Sequence, residues 1–224
     1  MDPVFIVLIF IVLGIACIVM HFYQQQARLR FWQDLAAETG GQLHLHDVYR
    51  FTSSQEYPLF RNGHSRKVQY LLECQKDNHS FIYFDYQYKT GSGKNQATHS
   101  LSGMMITMPI YGPALTLRCE NFLDRIASFM GFDDINFELE SFNRAFRVHC
   151  ADKKFAYDVF HTGMMEFFLE HKQGLIMEWC GMKALFYFSP ARRFQKADID
   201  YLTHFATNFV QRLPAYLHDQ HRGT

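Results

Sequence analysis

The sequence predicts an α+β fold: an antiparallel sheet with inserted helices, carried behind an N-terminal transmembrane helix. Three observations predict it. Residues 4–20 contain no charged side chain. The strand-like segments that follow are joined by short polar loops of hairpin type. Helical stretches are inserted among these strands and do not alternate with them, which separates α+β from a doubly wound parallel sheet.

The elements follow in order. The apolar run, extended through His21, Phe22 and Tyr23, is about 30 Å long as a helix, one hydrocarbon thickness. Phe22 and Tyr23 then fall at the headgroup level, where amphipathic rings are favoured. A cleaved signal peptide needs a basic leading region, and here that region is Met1-Asp2-Pro3. A lipoprotein site at Gly14-Ile15-Ala16-Cys17 lacks the same basic region, and the apolar run continues past Cys17 to Met20. We therefore expect an uncleaved anchor over residues 1–23, with Cys17 a small apolar residue. A juxtamembrane helix over 24–40 continues it, with Ala27, Phe31, Trp32, Leu35 and Ala36 at helical spacing and Gly40-Gly41 as the stop.

One soluble α+β domain is expected over 41–224. A short strand carries Leu43 and Leu45 alternating with His44 and His46. Strands over 68–74 and 81–88 are joined through Lys76-Asp77-Asn78-His79. A second hairpin loop, Thr90-Gly91-Ser92-Gly93-Lys94-Asn95-Gln96, leads to a strand over 99–108 ended by Pro109, and a short strand follows over 114–118. A helix is read over 120–130, with Phe122, Leu123, Ile126, Ala127 and Met130 on one face and Gly131 after it. A strand over 146–150 precedes a helix capped by Asp152, and a second helical piece covers 164–171. Residues 175–180 and 183–188 read as a hairpin around Gly181. Leu202, Phe205, Ala206, Phe209, Val210 and Leu213 mark a C-terminal amphipathic helix over 196–213, stopped by Pro214 and packed on the sheet.

Composition excludes some function classes. Lys plus Arg is 22 and Asp plus Glu is 22, so a chain of zero net charge has no global electrostatic case for nucleic acid. The five cysteines form no Cys-x-x-Cys pair, which argues against a zinc ribbon and for reduced, buried thiols. The flank before the apolar run has no Lys or Arg, whereas Arg28 and Arg30 follow it. The positive-inside rule then places the soluble domain in the cytoplasm.

No pattern rises to an enzyme signature. His44 and His46 share a strand face and could chelate a metal, but they supply only two ligands, so the pair is a weak metal candidate. Gly91-Ser92-Gly93-Lys94 lacks the Walker spacing and stands between strands, so it reads as a hairpin tip. Asp85 shares a face with Phe81, Tyr83 and Gln87 and reads as a surface or cross-strand-paired carboxylate. Glu166 and Glu170, followed by His171, read as a like-charged solvent face. Arg61, Arg66 and Lys67, with Arg28 and Arg30, form a basic set for contact with anionic lipid or a partner. No cofactor and no bound metal are expected.

Several segments in order carry a resemblance. They are Pro58-Leu59-Phe60-Arg61-Asn62-Gly63, then Phe84-Asp85-Tyr86-Gln87-Tyr88-Lys89-Thr90-Gly91-Ser92-Gly93-Lys94 with Thr98-His99. Asp134-Ile135-Asn136-Phe137-Glu138 follows with Ser141-Phe142-Asn143-Arg144, and then Phe155-Ala156-Tyr157 with Met164-Met165-Glu166. Placed after an N-terminal apolar span, they resemble a family of uncharacterised bacterial single-pass membrane proteins that carry a domain of unknown function. The resemblance implies a bacterial inner-membrane protein and no particular chemistry. The leading reading is a membrane-tethered, non-enzymatic interaction or envelope-associated domain, bound to the bilayer through 4–23 and to a protein partner of unknown identity. The alternatives are a membrane-bound enzyme, for instance a hydrolase, with a site near Asp85 or His44 and His46, and an anionic-lipid-sensing module.

Overall fold

The computed structural model describes residues 3–119, 134–171 and 174–220. The segments expected as anchor and juxtamembrane helix form one continuous helix, α1 (Pro3–Thr39), of 37 residues. Its two halves differ in surroundings. Every side chain from Val7 to Ala27 is exposed, although most are apolar, whereas Trp32 and Leu35 are buried in the domain. A soluble core helix would bury its apolar half, so α1 has the length and composition to cross a membrane.

The sheet is antiparallel and six-stranded among the described residues. Its strands are β1 (Gln42–His44), β2 (His64–Lys76), β3 (His79–Thr90), β4 (Ala97–Cys119), β5 (Phe146–Cys150) and β6 (Leu175–Phe188). β1 to β5 pair in sequence order, and β6 pairs with β4. The β2–β3 turn is formed by Asp77 and Asn78, both at positive φ (50° and 63°), the conformation a two-residue hairpin needs. β1 stops at His44, so His46 lies beyond the strand.

Two expectations about strand breaks are corrected, and one cause explains both. β4 continues through Pro109 and Pro113 as one strand of 23 residues. Residues 175–188 form one strand along β4, not a hairpin around Gly181. The β4–β6 register jumps from Thr107 opposite Lys183 to Gly112 opposite Gly181, and again before Leu115. β3 pairing has ended at Ile106, and β5 pairing begins at Leu115. The two prolines therefore occupy a bulged stretch where no ladder requires their missing N–H. Gly181, at φ 60°, absorbs the kink on the β6 side without reversing the chain.

Helices cover one face of the sheet. α3 (Glu140–Ala145), α4 (Lys153–Val159), α5 (Thr162–Glu170) and α6 (Lys196–Gln211) pack there with the domain end of α1, and α7 (Ala215–Gln220) follows α6. Asp152 caps α4 by accepting from the Phe155 N–H at 3.0 Å. The helix expected over 120–130 lies outside the described residues. The other face is covered by the 45–63 connection, in which Phe51 and the four-residue helix α2 (Pro58–Arg61) bury Leu59 and Phe60. β3 shows the division: Phe81 and Tyr83 enter the larger core, and Ile82, Phe84 and Tyr86 the smaller.

Candidate functional site

Arg28 and Trp32 are one turn apart on α1, so both face the sheet. On β3, Asp85 follows Phe81 and Tyr83 on the same face, which points it at α1. Ser102 of β4 is directly opposite Asp85 in the strand register. Sequence-distant residues thus converge where the long helix meets the sheet.

The convergence is a closed hydrogen-bond network. Arg28 donates from Nε to Asp85 Oδ2 at 2.8 Å and from Nη2 to Oδ1 at 2.7 Å, a bidentate pair. Trp32 Nε1 donates to Oδ2 at 3.2 Å, and the Ser102 hydroxyl donates to Oδ1 at 2.5 Å. Arg28 Nη1 also donates to the carbonyl of Phe194 at 2.7 Å, and the Phe194 N–H donates to Ser102 Oγ at 2.9 Å. The Arg28 guanidinium lies 4.5 Å from the Phe31 ring centre and 5.1 Å from that of Trp32. The Asp85 side chain is 3% exposed and that of Arg28 12%. A buried carboxylate needs a paired charge and satisfied lone pairs, and four donors supply both here.

Asp85 therefore does not face solvent, and its counter-charge is not an Arg or Lys on a neighbouring strand; it is a structural carboxylate whose cross-strand bond is to the Ser102 hydroxyl. That counter-charge comes from α1, which periodicity within β3 cannot reveal. Arg28, read with Arg30 as a surface cation, is turned into the domain, because it lies on the sheet side of α1. Arg30, two residues on, is exposed.

A second buried carboxylate lies on the opposite face of the sheet. Glu178 of β6 is 1% exposed. It accepts from the Leu59 N–H of α2 at 3.1 Å and from the Tyr187 hydroxyl at 2.7 Å. Burial pushes its carboxyl up to about 7, and the two donors and the Arg61 charge pull in the other direction. Burial and the Glu178 charge in turn hold the Tyr187 hydroxyl well above its ordinary range. Glu178 was missed by the sequence reading. The available signal was a lone charge within Leu175-Ile176-Met177-Glu178-Trp179.

The remaining sequence candidates are dispersed. His44 meets Glu73 at 3.1 Å on the neighbouring strand, whereas His46 is exposed. No group of three or more His, Cys, Asp or Glu side chains is arranged to hold a metal ion among the described residues. Arg66 donates to the carbonyls of Arg61, Asn62 and Gly63, so it braces its own loop. Arg61 donates to the Gln55 carbonyl at 2.6 Å, and Lys67 is exposed. His171 packs on Phe167 and Phe205. Glu166 and Glu170 are exposed. All five cysteines are free thiols, and burial raises those of Cys74, Cys119, Cys150 and Cys180.

These features define an α+β protein whose antiparallel sheet is clamped to the base of a long, apolar N-terminal helix. No family model and no curated protein matches the chain, which is consistent with its resemblance to an uncharacterised family. Among solved structures, it is similar to the mycobacterial trehalose monomycolate transport factor A, TtfA. The TM-score is 0.60 at 10% identity, over 83% of this chain and 95% of that one. At that identity the likeness shows the fold alone.

Proposed function

We propose that this chain is a membrane-tethered, non-enzymatic interaction domain with a role at the bacterial cell envelope. In this reading residues 1–23 form a single-pass inner-membrane anchor, 24–40 a rigid stalk and 41–224 the interacting domain on the cytoplasmic side. The observation that carries it is the Arg28–Asp85 clamp. It couples the sheet directly to the helix that enters the bilayer, so the domain is held at a fixed attitude to the membrane and not on a flexible linker. A transport factor of similar fold is in keeping with an envelope role. The hydrolase alternative has less support, because both Asp85 oxygens are already occupied by donors and a general base needs a free lone pair facing substrate.

The test is photo-crosslinking in membranes of living cells, with a photoreactive residue at exposed Tyr111 or Met182. The reading expects a discrete protein adduct that is lost when Arg28→Met releases the clamp. Adducts with lipid alone, or an adduct indifferent to both the anchor and the clamp, would overturn it.

A further inference from the structure

The end of the sheet nearest the anchor is built from segments that are basic and, in sequence, free of acidic residues. α1 and β3 together place it. Gly41, just past the end of α1, lies against Glu73 and Cys74 of β2, and Cys74 is opposite Phe81 of β3. Arg28 meets Asp85. Followed toward the apolar run, α1 therefore passes along β3 from Phe81 to Asp85. Thr90, where β3 ends, lies five residues farther on, about 17 Å along the strand. Tyr23 lies five residues before Arg28, about 8 Å along the helix. The strand can thus splay from the helix by about 60° and its end still comes level with Tyr23.

The β3–β4 turn is fastened to the start of β2. His64 is opposite Lys89, and its Nε2 bonds the Gly91 carbonyl at 2.9 Å. Thr90 Oγ1 and His99 Nε2, 2.8 Å apart, close the base of the turn. Lys67 and Lys94 are exposed here, and Lys89 is half-buried. Among the described residues none of the three is in an ion pair. Residues 61–72 and 86–118 contain no Asp or Glu. The turn from Thr90 to Gln96 also has no apolar side chain, so it suits contact with headgroups and not entry into hydrocarbon.

We propose that Lys67, Lys89 and Lys94 dock this end of the sheet on the anionic headgroups of the leaflet into which α1 enters. The inference rests on the reading of residues 1–23 as an anchor with the domain on the cytoplasmic side, where the leaflet is negative. Because the anchor already confines the domain to the surface, three individually weak contacts suffice to fix its tilt. The attraction acts between exposed charges, so salt screens it.

Photo-crosslinking of the full chain in vesicles tests this, with a photoreactive residue at exposed Asn95 in the turn. Phosphatidylcholine vesicles containing about one-third phosphatidylglycerol should give about fivefold more lipid adduct than phosphatidylcholine alone. Raising the salt from about 0.05 M to about 0.5 M should remove the excess, and so should Lys67→Gln, Lys89→Gln and Lys94→Gln made together. The same photoreactive residue at Met182, toward the other end of the β4 ladder, should give no such excess. Equal adduct in the two vesicle types, an equal excess at Met182, or an excess that survives either high salt or the substitutions would overturn the proposal. A photoreactive residue at Val12 separates the docking from the reading it rests on. Lipid adducts at Val12 in both vesicle types without the excess at Asn95 refute the docking alone, whereas no lipid adduct at Val12 refutes the anchor. In living cells, a discrete protein adduct at Asn95 in place of lipid would also overturn the docking and would assign the lysines to an acidic partner.

Discussion

Arg28 and Asp85, 57 residues apart in sequence, form a bidentate ion pair that ties the base of the long helix to the third strand of the sheet. The pair is enclosed by Trp32, Ser102 and the backbone of Phe194. Each charge is tolerable in the interior only because the other is present.

Breaking the pair from one side should therefore be severe. Arg28→Met leaves Asp85 buried without its counter-charge and should destabilise the full chain by about 3–5 kcal/mol. Arg28→Met combined with Asp85→Leu removes both charges and should recover much of that loss. Urea denaturation in detergent, followed by tryptophan fluorescence, measures both variants. Similar losses for single and double variants would mean that the pair is not coupled as described.

Glu178 should make stability depend on pH. Its carboxyl is raised from 4.5 to about 7 in the folded chain, so the native state binds more protons than the unfolded state between those values. Stability should then fall as pH rises from about 4.5 to about 7 and level off above, a change of about 3 kcal/mol at most. Glu178→Gln should flatten this slope in a series of melting curves. A slope that persists unchanged in the variant would assign it to other groups.

Phe205 of α6 is 1% exposed and stacks on Phe167, with ring centres 4.8 Å apart. Phe205→Ala should cost about 3–5 kcal/mol. Asn208 is half-buried, and among the described residues its side chain bonds to His204 and to Arg212, just past the end of α6. Asn208→Ala should therefore shift stability by about 0.5 kcal/mol. Small and equal shifts on thermal melting would show that α6 does not dock on the sheet.

The proposed orientation predicts an inactive alkaline phosphatase fused after Thr224 and a bright fluorescent protein at the same position. Both arginines after the apolar run count toward this bias, although only Arg30 is exposed. The opposite pair of readouts would place the domain outside the cytoplasm, where its four buried or half-buried thiols would face an oxidising compartment.

Much of the fold was legible from local pattern. A charge-free run identifies a helix able to cross a bilayer, because composition and length alone decide that question. Period-two alternation located the β2–β3 hairpin, and the Phe205–Phe209 spacing located α6, because each pattern reports its own element's buried face. Asp152 was readable as a cap because capping is a contact between neighbours in the chain. The strand breaks were misread because Pro109 and Gly181 normally interrupt ladders. Only the register between β4 and β6 shows that both lie in one bulge. The site was out of reach for a related reason. Nothing near Asp85 names Arg28, and nothing near Glu178 names Leu59 or Tyr187. Both carboxylates were visible as charges in aromatic or apolar surroundings, but a charge in a strand is stable in either of two ways: facing water or buried with partners. Local sequence carries the pattern of the element, whereas the partners come from elements that only tertiary packing brings within hydrogen-bond reach.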